Sequence, residues 1–552
     1  MNQSSRSRNN FILQGGILAV AGIIVRLIGL VKRIPLTNII GDEGNGYYAT
    51  AYEIYAIILL LSSYSLPLAI SKLVSARVSK GQYHNANRIF KGSLLFATSV
   101  GLLSSILVFF LSDFLAGSIV FEPMSAIALQ MLAPALFIVA IMGVFRGYFQ
   151  GLGTMMPTAV SQIIEQIFLV IASLSGAIIL SNYGAKVGDL IGNDKYKAAY
   201  GAAGGTIGCS VGAIIGLAFL VFVFFLYSPK YKMQIKKDQT KSNESYKTII
   251  KILILTIVPV ILSTAVYNFV TIINQRIFNE AMIIRGFEEI KTAHWGIFTG
   301  KYRVLINIPI ALASAMSAST IPLLVNYMEN NNFTQAKSKI QTVIRVTMIV
   351  SIPCAIGLGV LARPILDLLF NGEIDMAVNM LHLGSISIIF YSLSTLTNGI
   401  LQGINKLRIP VRNSFISLFV EMIFLYIILR TTNIGIYGVI VANILFSALM
   451  CILNSFAISK YLHYKQEIYK AFIIPTVSSL IMGFLVYLVY QVFAVFSGYF
   501  VITCVGLFVG ATSYFLIMIL LKGISERELQ IIPFGKQIIR LLKRVHLLKN
   551  EG

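Results

Sequence analysis

Long apolar stretches, separated by short polar connections, run through nearly the whole chain. A helix that crosses a bilayer needs about 20 mostly apolar residues. The pattern predicts fourteen such segments, centred near residues 20, 58, 103, 135, 168, 214, 261, 310, 351, 388, 421, 446, 481 and 510. Their length and continuity predict helices and not a barrel.

Composition supports this prediction, because 57% of the residues are hydrophobic, only 12% are charged and the mean hydropathy is +0.80. A soluble surface cannot be covered with so few charges. The chain is therefore expected to be an all-α polytopic membrane protein. Its four cysteines lie inside predicted spans without CxxC spacing, which is typical of small core residues and not of disulfides or metal ligands.

The net charge of +22 would suggest nucleic-acid binding in a soluble protein. Here the charge follows the loops, since alternating across fourteen spans gives about 31 Lys and Arg on one side and about 12 on the other. By the positive-inside rule, both termini are predicted to be cytoplasmic. Nucleic acid is excluded as a partner, whereas anionic membrane lipid at the inner surface is expected.

The second half of the chain repeats the first at a distance of roughly 250 residues. GYFQG at Gly147–Gly151 recurs as GILQG at Gly399–Gly403, and SQIIEQIFLV at Ser161–Val170 recurs as SLFVEMIFLY at Ser417–Tyr426. The polar connections after spans 2 and 8, KGQYHNANRIF and NNNFTQAKSKI, also align. Six spans per repeat is an even number, so two parallel six-helix repeats are predicted, with two extra C-terminal helices.

These features predict five regions along the chain. They are an N-terminal six-helix lobe at 1–228, a cytoplasmic linker at 229–248, a C-terminal six-helix lobe at 249–462, two further spans at 463–523 and a cytoplasmic amphipathic tail at 524–552.

The segment GIIVRLIGLVKRIP in span 1 carries three basic residues. Placing Arg26 inside a span costs roughly 2.5–3.5 kcal/mol, so we expect a compensating anionic substrate. The alternative is that its guanidinium snorkels to the membrane surface near the outer end of the span. Lys32 lies six positions further, which is about 120° from Arg26 around a helix. Arg33 is interpreted as an interface anchor.

A second basic group lies early in span 8, below Trp295, where Lys301 and Arg303 are expected to line the space between the lobes. Arg276 and Lys291 fall in the outer connection and are interpreted as solvated loop residues, with lining of the outer mouth as the alternative. The connection between spans 1 and 2 is likewise expected to be a short outer loop.

Three acids lie inside spans, Glu53, Glu165 and Glu421. Glu165 and Glu421 occupy equivalent positions in the two repeats, where they are expected to pair with Arg146 or Arg412 in a structural role; binding of a coupling ion or proton is the alternative. Glu53 is expected to neutralise the arginine of span 1 when substrate is absent.

Enzyme motifs are missing from the sequence, which contains no HExxH, no GxSxG and no P-loop. The five histidines are scattered, so neither a metal site nor a cofactor is expected. Transport would then be driven by an ion gradient or by the membrane potential.

RLIGLVKR in span 1, FRGYFQG and PTAVSQIIEQ around spans 4 and 5, and KYRVLINIP in span 8 resemble the MurJ-type lipid II flippases and the related SpoVB-like polysaccharide exporters of the MATE-like MOP superfamily. The resemblance implies an alternating-access fold with two six-helix lobes around a cationic cavity. It also implies that the two extra helices at 463–523 form a groove for a prenyl tail.

By this resemblance the chain would move undecaprenyl-pyrophosphate-linked disaccharide-pentapeptide from the inner to the outer leaflet of the bacterial plasma membrane. That activity serves peptidoglycan synthesis, cell wall biogenesis and cell shape, and the cell-wall synthesis machinery is an implied partner. The family's basic residues fall on Arg26, Lys32 and Arg303.

Two departures from the family pattern affect the site. Arg33 stands where an acid is common, and the span-2 arginines of many members are absent from YEIYAIILLLSSYS. Lys301 or Arg276 is expected to supply the missing charge.

Three alternatives remain open: a flippase for another undecaprenyl-linked precursor, a cation-coupled multidrug exporter of the same fold, and a polytopic glycosyltransferase. The exporter would favour acids and aromatic residues over the basic residues seen here, and the glycosyltransferase would need catalytic acids in a sizeable outer loop. A non-transporting scaffold is disfavoured by the charges inside the spans.

Overall fold

The computed structural model describes residues 3–236, 238, 244–493 and 498–523, and no strand occurs among them. The predicted amphipathic tail at 524–552 and part of the predicted linker lie outside these residues. The helices are α1 Gln3–Leu59, α2 Leu66–Val78, α3 Tyr83–Asp113, α4 Ser125–Gly151, α5 Met156–Ile191, α6 Lys195–Lys236, α7 Tyr246–Ile284, α8 Glu288–Ile297, α9 Arg303–Glu329, α10 Phe333–Val360, α11 Ala362–Leu369, α12 Asp375–Gly384, α13 Ser387–Gly403, α14 Arg408–Thr431, α15 Ile436–Leu462, α16 Ile474–Phe493 and α17 Tyr499–Leu520. Short π-helical turns occur at Leu60–Tyr64, Phe114–Ile119, Phe298–Tyr302 and Tyr469–Ile473.

Eleven helical segments of the described chain are long and apolar enough to cross a membrane, or twelve if the bent pair α12 and α13 is one span. One of them, Val20–Val78, has 59 residues, which at 1.5 Å per residue is far longer than a bilayer core of about 30 Å. Gly41 interrupts it with a non-helical φ of 71°. The chain is an all-α, multi-pass membrane protein, and the prediction of fourteen spans is consistent with these helices.

The chain divides by its contacts into two compact units. The first contains Met1–Lys301 and the short segment Leu429–Ile436, and the second contains Tyr302–Ile428 and Tyr437–Gly552. Helices α7 and α8 therefore group with the first unit. The lobe boundary predicted within 229–248 stays a prediction.

Close backbone contact between α5 and α6 holds the first unit together. A Cβ atom added to Gly204 would lie 2.1 Å from the carbonyl oxygen of Gly176, and one added to Gly208 would lie 2.4 Å from that of Leu169. Such approaches are possible only without side chains, and they let helices associate inside a bilayer. The glycine-rich sequence of span 6 predicts this packing.

The sequence repeat has a structural counterpart inside each unit. In the first unit, a Cβ on Gly151 would lie 2.6 Å from Val74 of α2. In the second unit, a Cβ on Gly403 would lie 2.9 Å from Leu324 of α9. The two contacted residues are also 250 positions apart, so the repeated glycines serve the same helix contact in both halves.

The polar turns that follow these helices match as well. Gly81 has a φ of 70° after α2, and Asn331 has a φ of 53° after α9. Each follows the last turn of its helix, and the next amide, on Gln82 or Asn332, donates back into that turn at 2.9 or 2.8 Å. The left-handed conformation at these positions is typical of helix C-terminal caps.

Two predicted loops are wrong. The connection between spans 1 and 2 stays helical except at Gly41. The outer connection that carries Arg276 and Lys291 is also largely helical, because α7 reaches Ile284 and α8 begins at Glu288.

Candidate functional site

Helix α1 carries the basic residues of span 1 on its first half. Pro35 lies inside the helix and removes one backbone donor from it. Arg26, nine positions earlier, is exposed and makes no ion pair with a described residue. Its positive charge is therefore available to a ligand.

Lys32 and Arg33 lie close to one ring, that of Tyr48, which belongs to the second half of α1. Lys32 is only 6% exposed, and its Nζ donates a hydrogen bond to Tyr48 Oη at 3.2 Å. Arg33 Cζ lies 4.8 Å from the centre of the same ring, a cation–π distance. Within the described chain neither cation has a carboxylate partner, and Nη1 of Arg33 is buried without a hydrogen bond. Two positive charges are thus held beside one neutral ring.

The interpretation of Arg33 as an interface anchor is wrong, since its guanidinium packs inward on Tyr48. The spacing of the basic residues in the sequence indicates that Arg33 shares a helix face with Arg26. Arg33 follows Arg26 by seven positions, about 700° at 100° per residue, so the two lie within about 20° of each other around a regular helix. Lys32 is the residue that lies off this line.

Lys301 is not an open cation. Its side chain is fully buried, and its Nζ lies 2.7 Å from Oδ1 and 2.9 Å from Oδ2 of Asp42. Arg276 also has a structural task, because its Nη1 donates to the carbonyl oxygen of Ile119 at 2.6 Å and its guanidinium stacks on Phe121. The structure does not support the expectation that Lys301 binds substrate, or that either residue replaces the absent span-2 arginines.

A second buried ion pair joins the segment before α4 to α8. Lys291 Nζ lies 3.1 Å from Oε2 of Glu122, and the hydroxyl of Thr292 donates to the same oxygen at 2.7 Å. The interpretation of Lys291 as a solvated loop residue is wrong, since it is 4% exposed. Burial raises the pKa of the Glu122 carboxyl, although Lys291 and Thr292 oppose the shift.

Between these ion pairs, α1 and α8 touch backbone to backbone. A Cβ on Gly296 would lie 1.7 Å from the carbonyl oxygen of Asp42, and one on Gly46 would lie 2.3 Å from that of Thr292. Gly300, four residues after Gly296, packs on Asn45. This GxxxG pattern is typical of close helix crossings in membranes. We call the surface formed by Asp42, Gly46, Glu122, Lys291, Gly296 and Lys301 the α1–α8 contact.

Two of the acids predicted inside spans, Glu165 and Glu53, belong to the first unit. Glu165 Oε2 accepts a hydrogen bond from Arg146 Nη2 at 2.6 Å, while Arg146 Nε donates to Ser161 Oγ at 3.0 Å. The predicted pairing of Glu165 with Arg146 is confirmed. Glu53 is half-buried on the second half of α1, and Arg26 is not its ion-pair partner within the described chain.

In the second unit, Arg303 is the first residue of α9 and is half-buried. The hydroxyl of the preceding Tyr302 lies 3.2 Å from the carbonyl oxygen of Gly384, which fixes the start of that helix. Glu421 is fully buried on α14. Arg412 is not its ion-pair partner within the described chain, and Nη2 of Arg412 donates to Asn413 Oδ1 at 3.3 Å.

The second unit also contains an apolar groove of about 400 Å³ among α9, α10, α16 and α17. Pro309, Cys354, Met482 and Gly510 line it, together with other almost wholly apolar side chains. A groove of this lining accepts hydrocarbon and offers no anchor for a charged group.

Comparison with known proteins agrees with this architecture. Residues 13–328 match the model of the polysaccharide biosynthesis protein family, and residues 304–427 match that of the MatE family. The chain is 26% identical over 509 residues to the lipid II flippase MurJ of Bacillus subtilis (strain 168). The alignment covers 88% of this chain and 89% of that protein.

Two solved structures share the fold. The lipid II flippase MurJ in an inward closed conformation aligns with a TM-score of 0.63 at 15% identity and covers 91% of this chain and 97% of that one. An inward-facing multidrug resistance MATE family transporter of the MOP superfamily aligns with a TM-score of 0.64 at 16% identity, and the alignment covers 80% of this chain and 94% of that one. These matches confirm the resemblance, and the matched proteins are transporters and flippases, not enzymes. The chain shares its fold with these two transporters, and because the first family model spans more than half of the sequence, the chain belongs to the polysaccharide biosynthesis protein family.

Proposed function

We propose that this chain is a lipid II flippase that moves the undecaprenyl-pyrophosphate-linked disaccharide-pentapeptide from the inner to the outer leaflet by alternating access. Arg26, Lys32 and Arg33 bind the pyrophosphate. The chain works in the bacterial plasma membrane with both termini in the cytoplasm. No cofactor takes part.

The observation that carries the proposal is the pair of unneutralised cations around Tyr48. Removing a charge from water costs several kcal/mol unless an opposite charge compensates. Lys32 and Arg33 have no such partner among the described carboxylates. A pyrophosphate supplies the missing negative charge, and the guanidinium fork of an arginine matches its oxygens.

The rest of the lipid is handled by separate parts of the chain. The prenyl tail stays in the bilayer or enters the apolar groove beside α16 and α17, so only the head group has to pass through protein. Displacing the net positive charge of the empty site across the field is worth about 2.3 kcal/mol per charge per 100 mV. Membrane potential or an ion gradient would therefore reset the carrier.

The multidrug exporter remains the second candidate because of one feature. Tyr48 and Tyr52 stack with ring centres 6.0 Å apart, and Tyr55 continues the row. An aromatic row suits a flat organic cation. Lys32 and Arg33 beside the same ring repel such a ligand, which favours the anionic lipid.

The test is complementation of a strain depleted of its own lipid II flippase, read by the amount of lipid II accessible in the outer leaflet. The wild-type chain should restore it, and the double variant Lys32→Gln/Arg33→Gln should not. Lys247→Gln, at an exposed lysine of α7, is the matched control and should behave as wild type. Absence of outer-leaflet lipid II with inserted wild-type protein would refute the substrate. Full activity of the double variant would refute the site.

A further inference from the structure

A second groove lies in the second unit, at the predicted inner end of α15. Its volume is about 600 Å³, within the roughly 300–1,000 Å³ of ordinary ligand pockets. Its walls come from the last half of α15, from α13 and α10, and from the π-helical turn Tyr469–Ile473. It shares no lining residue with the groove beside α16 and α17, so the two are separate sites.

The mouth of this groove is basic. Lys465 lines it, is exposed and forms no ion pair with a described residue. The neighbouring acid, Glu467, is already engaged, because Gln341 Nε2 donates to it at 2.6 Å and Lys470 Nζ lies 4.0 Å away. A positive charge is therefore left at the opening of an apolar cavity.

Tyr464 adds an unsatisfied donor beside the same mouth. It lines the groove at 8% exposure, and its hydroxyl is buried without a hydrogen-bond partner among the described residues. Burial and the nearby Glu467 raise the pKa of Tyr464 to about 12, so the hydroxyl keeps its proton. An unpaired buried hydroxyl costs about 1–3 kcal/mol, which an acceptor oxygen of a ligand would relieve.

We propose that this groove holds one acyl chain of an anionic glycerophospholipid of the inner leaflet, with the lipid phosphate at Lys465 and Tyr464. Phe390, Leu393 and Phe456 provide the apolar wall that an acyl chain covers. The cytoplasmic leaflet is negatively charged, and basic pockets between spans on that side bind anionic head groups. The uncharged groove beside α16 and α17 suits a prenyl tail better, since it has no basic mouth. This lipid site does not depend on the proposed substrate.

The experiment uses Phe456→Trp as a fluorescent reporter in the full chain, reconstituted in vesicles. Position 456 lines the groove, and the one native tryptophan, Trp295, is buried in the first unit. Brominated phosphatidylglycerol should quench the reporter about fivefold more strongly than brominated phosphatidylcholine at equal mole fraction, as expected for one lysine near anionic lipid. Adding Lys465→Gln should remove the preference, whereas adding Lys460→Gln, at an exposed lysine outside the groove, should keep it. Equal quenching by both lipids would overturn the proposal.

A second measurement does not depend on the reporter. Native mass spectrometry of the purified chain titrated with phosphatidylglycerol should show one fewer tightly bound lipid in Ala448→Phe, which fills the groove, than in wild type. The same number of bound lipids in both proteins would contradict the site. In the reporter experiment, displacement of brominated phosphatidylglycerol by undecaprenyl phosphate at a much lower mole fraction than by unbrominated phosphatidylglycerol would assign the groove to the carrier lipid and overturn the proposal.

Discussion

Gly296→Ala should separate α1 from α8. The added Cβ would lie 1.7 Å from the carbonyl oxygen of Asp42, whereas ordinary van der Waals contact begins at 3.4 Å. The obstacle is backbone and cannot rotate away, so the helices must move apart. Overpacking costs about 1–3 kcal/mol, and a backbone clash belongs at the upper end of that range. We expect a shift of about 2–3 kcal/mol, or roughly 30- to 150-fold, towards the separated state.

Labelling of a buried cysteine measures this shift. The reporter is Ala49→Cys, at a 2% exposed position of α1, in a chain whose four native cysteines are replaced. A membrane-impermeant maleimide added from outside should label it at least tenfold faster in Gly296→Ala than in the unmodified background. Gly22→Ala is the control, since a Cβ there meets nothing within 4 Å. Equal labelling rates in all three proteins would refute the steric argument.

Three further changes test the α5–α6 packing, the Arg146–Glu165 ion pair and the role of Glu122 in the α1–α8 contact. Gly204→Leu should prevent stable insertion, because the leucine side chain would clash with the backbone of Gly176. The amount of folded protein recovered in size-exclusion chromatography measures this effect. Arg146→Leu should lower stability by about 3–5 kcal/mol by leaving Glu165 unpaired, and adding Glu165→Leu should recover most of the loss in thermal unfolding. Burial raises the pKa of the Glu122 carboxyl in the folded chain. The contribution of Glu122 to the stability of the α1–α8 contact is therefore greatest below the ordinary glutamate pKa and falls as the pH rises through the raised pKa. Glu122→Gln should remove that pH dependence from the melting temperature.

The parts of the fold that the sequence predicts are those determined by local composition or by repetition. Apolar run length predicts the spans, and glycine content predicts the close approach of α5 and α6. The repeat predicts that Gly151 and Gly403 serve equivalent contacts, which they do. Each of these signals lies within one helix or in two copies of one motif.

The parts that the sequence does not predict depend on residues far apart in the chain. Asp42 and Lys301 are 259 positions apart, and Glu122 and Lys291 are 169 apart, so nothing local marks either ion pair. The sequence therefore predicts that Lys301 binds substrate, whereas in the structure Asp42 neutralises it. Arg33 is different, because its seven-residue spacing from Arg26 places both residues on the same face of a helix. The sequence does not predict that the guanidinium of Arg33 packs on the ring of Tyr48.

The two ion pairs and the glycine crossing have one consequence for transport. Together they hold the middle of α1, where the outer connection between spans 1 and 2 is predicted, in contact with α8, while Lys32 and Arg33 lie about ten residues earlier in α1 without carboxylate partners. In the proposed cycle, the lipid head group binds at these cations first, and the α1–α8 contact separates before release to the outer side.

The central claim is that the cations on α1 bind the lipid pyrophosphate, and the affinity of the purified chain for lipid II tests it most directly. A hydrogen bond to a charged group contributes about 1.5–3 kcal/mol, or roughly 10- to 150-fold in affinity. We predict that Lys32→Gln and Arg33→Gln each weaken lipid II binding within that range, and that the Lys247→Gln control does not. Unchanged affinity in both variants would contradict the account.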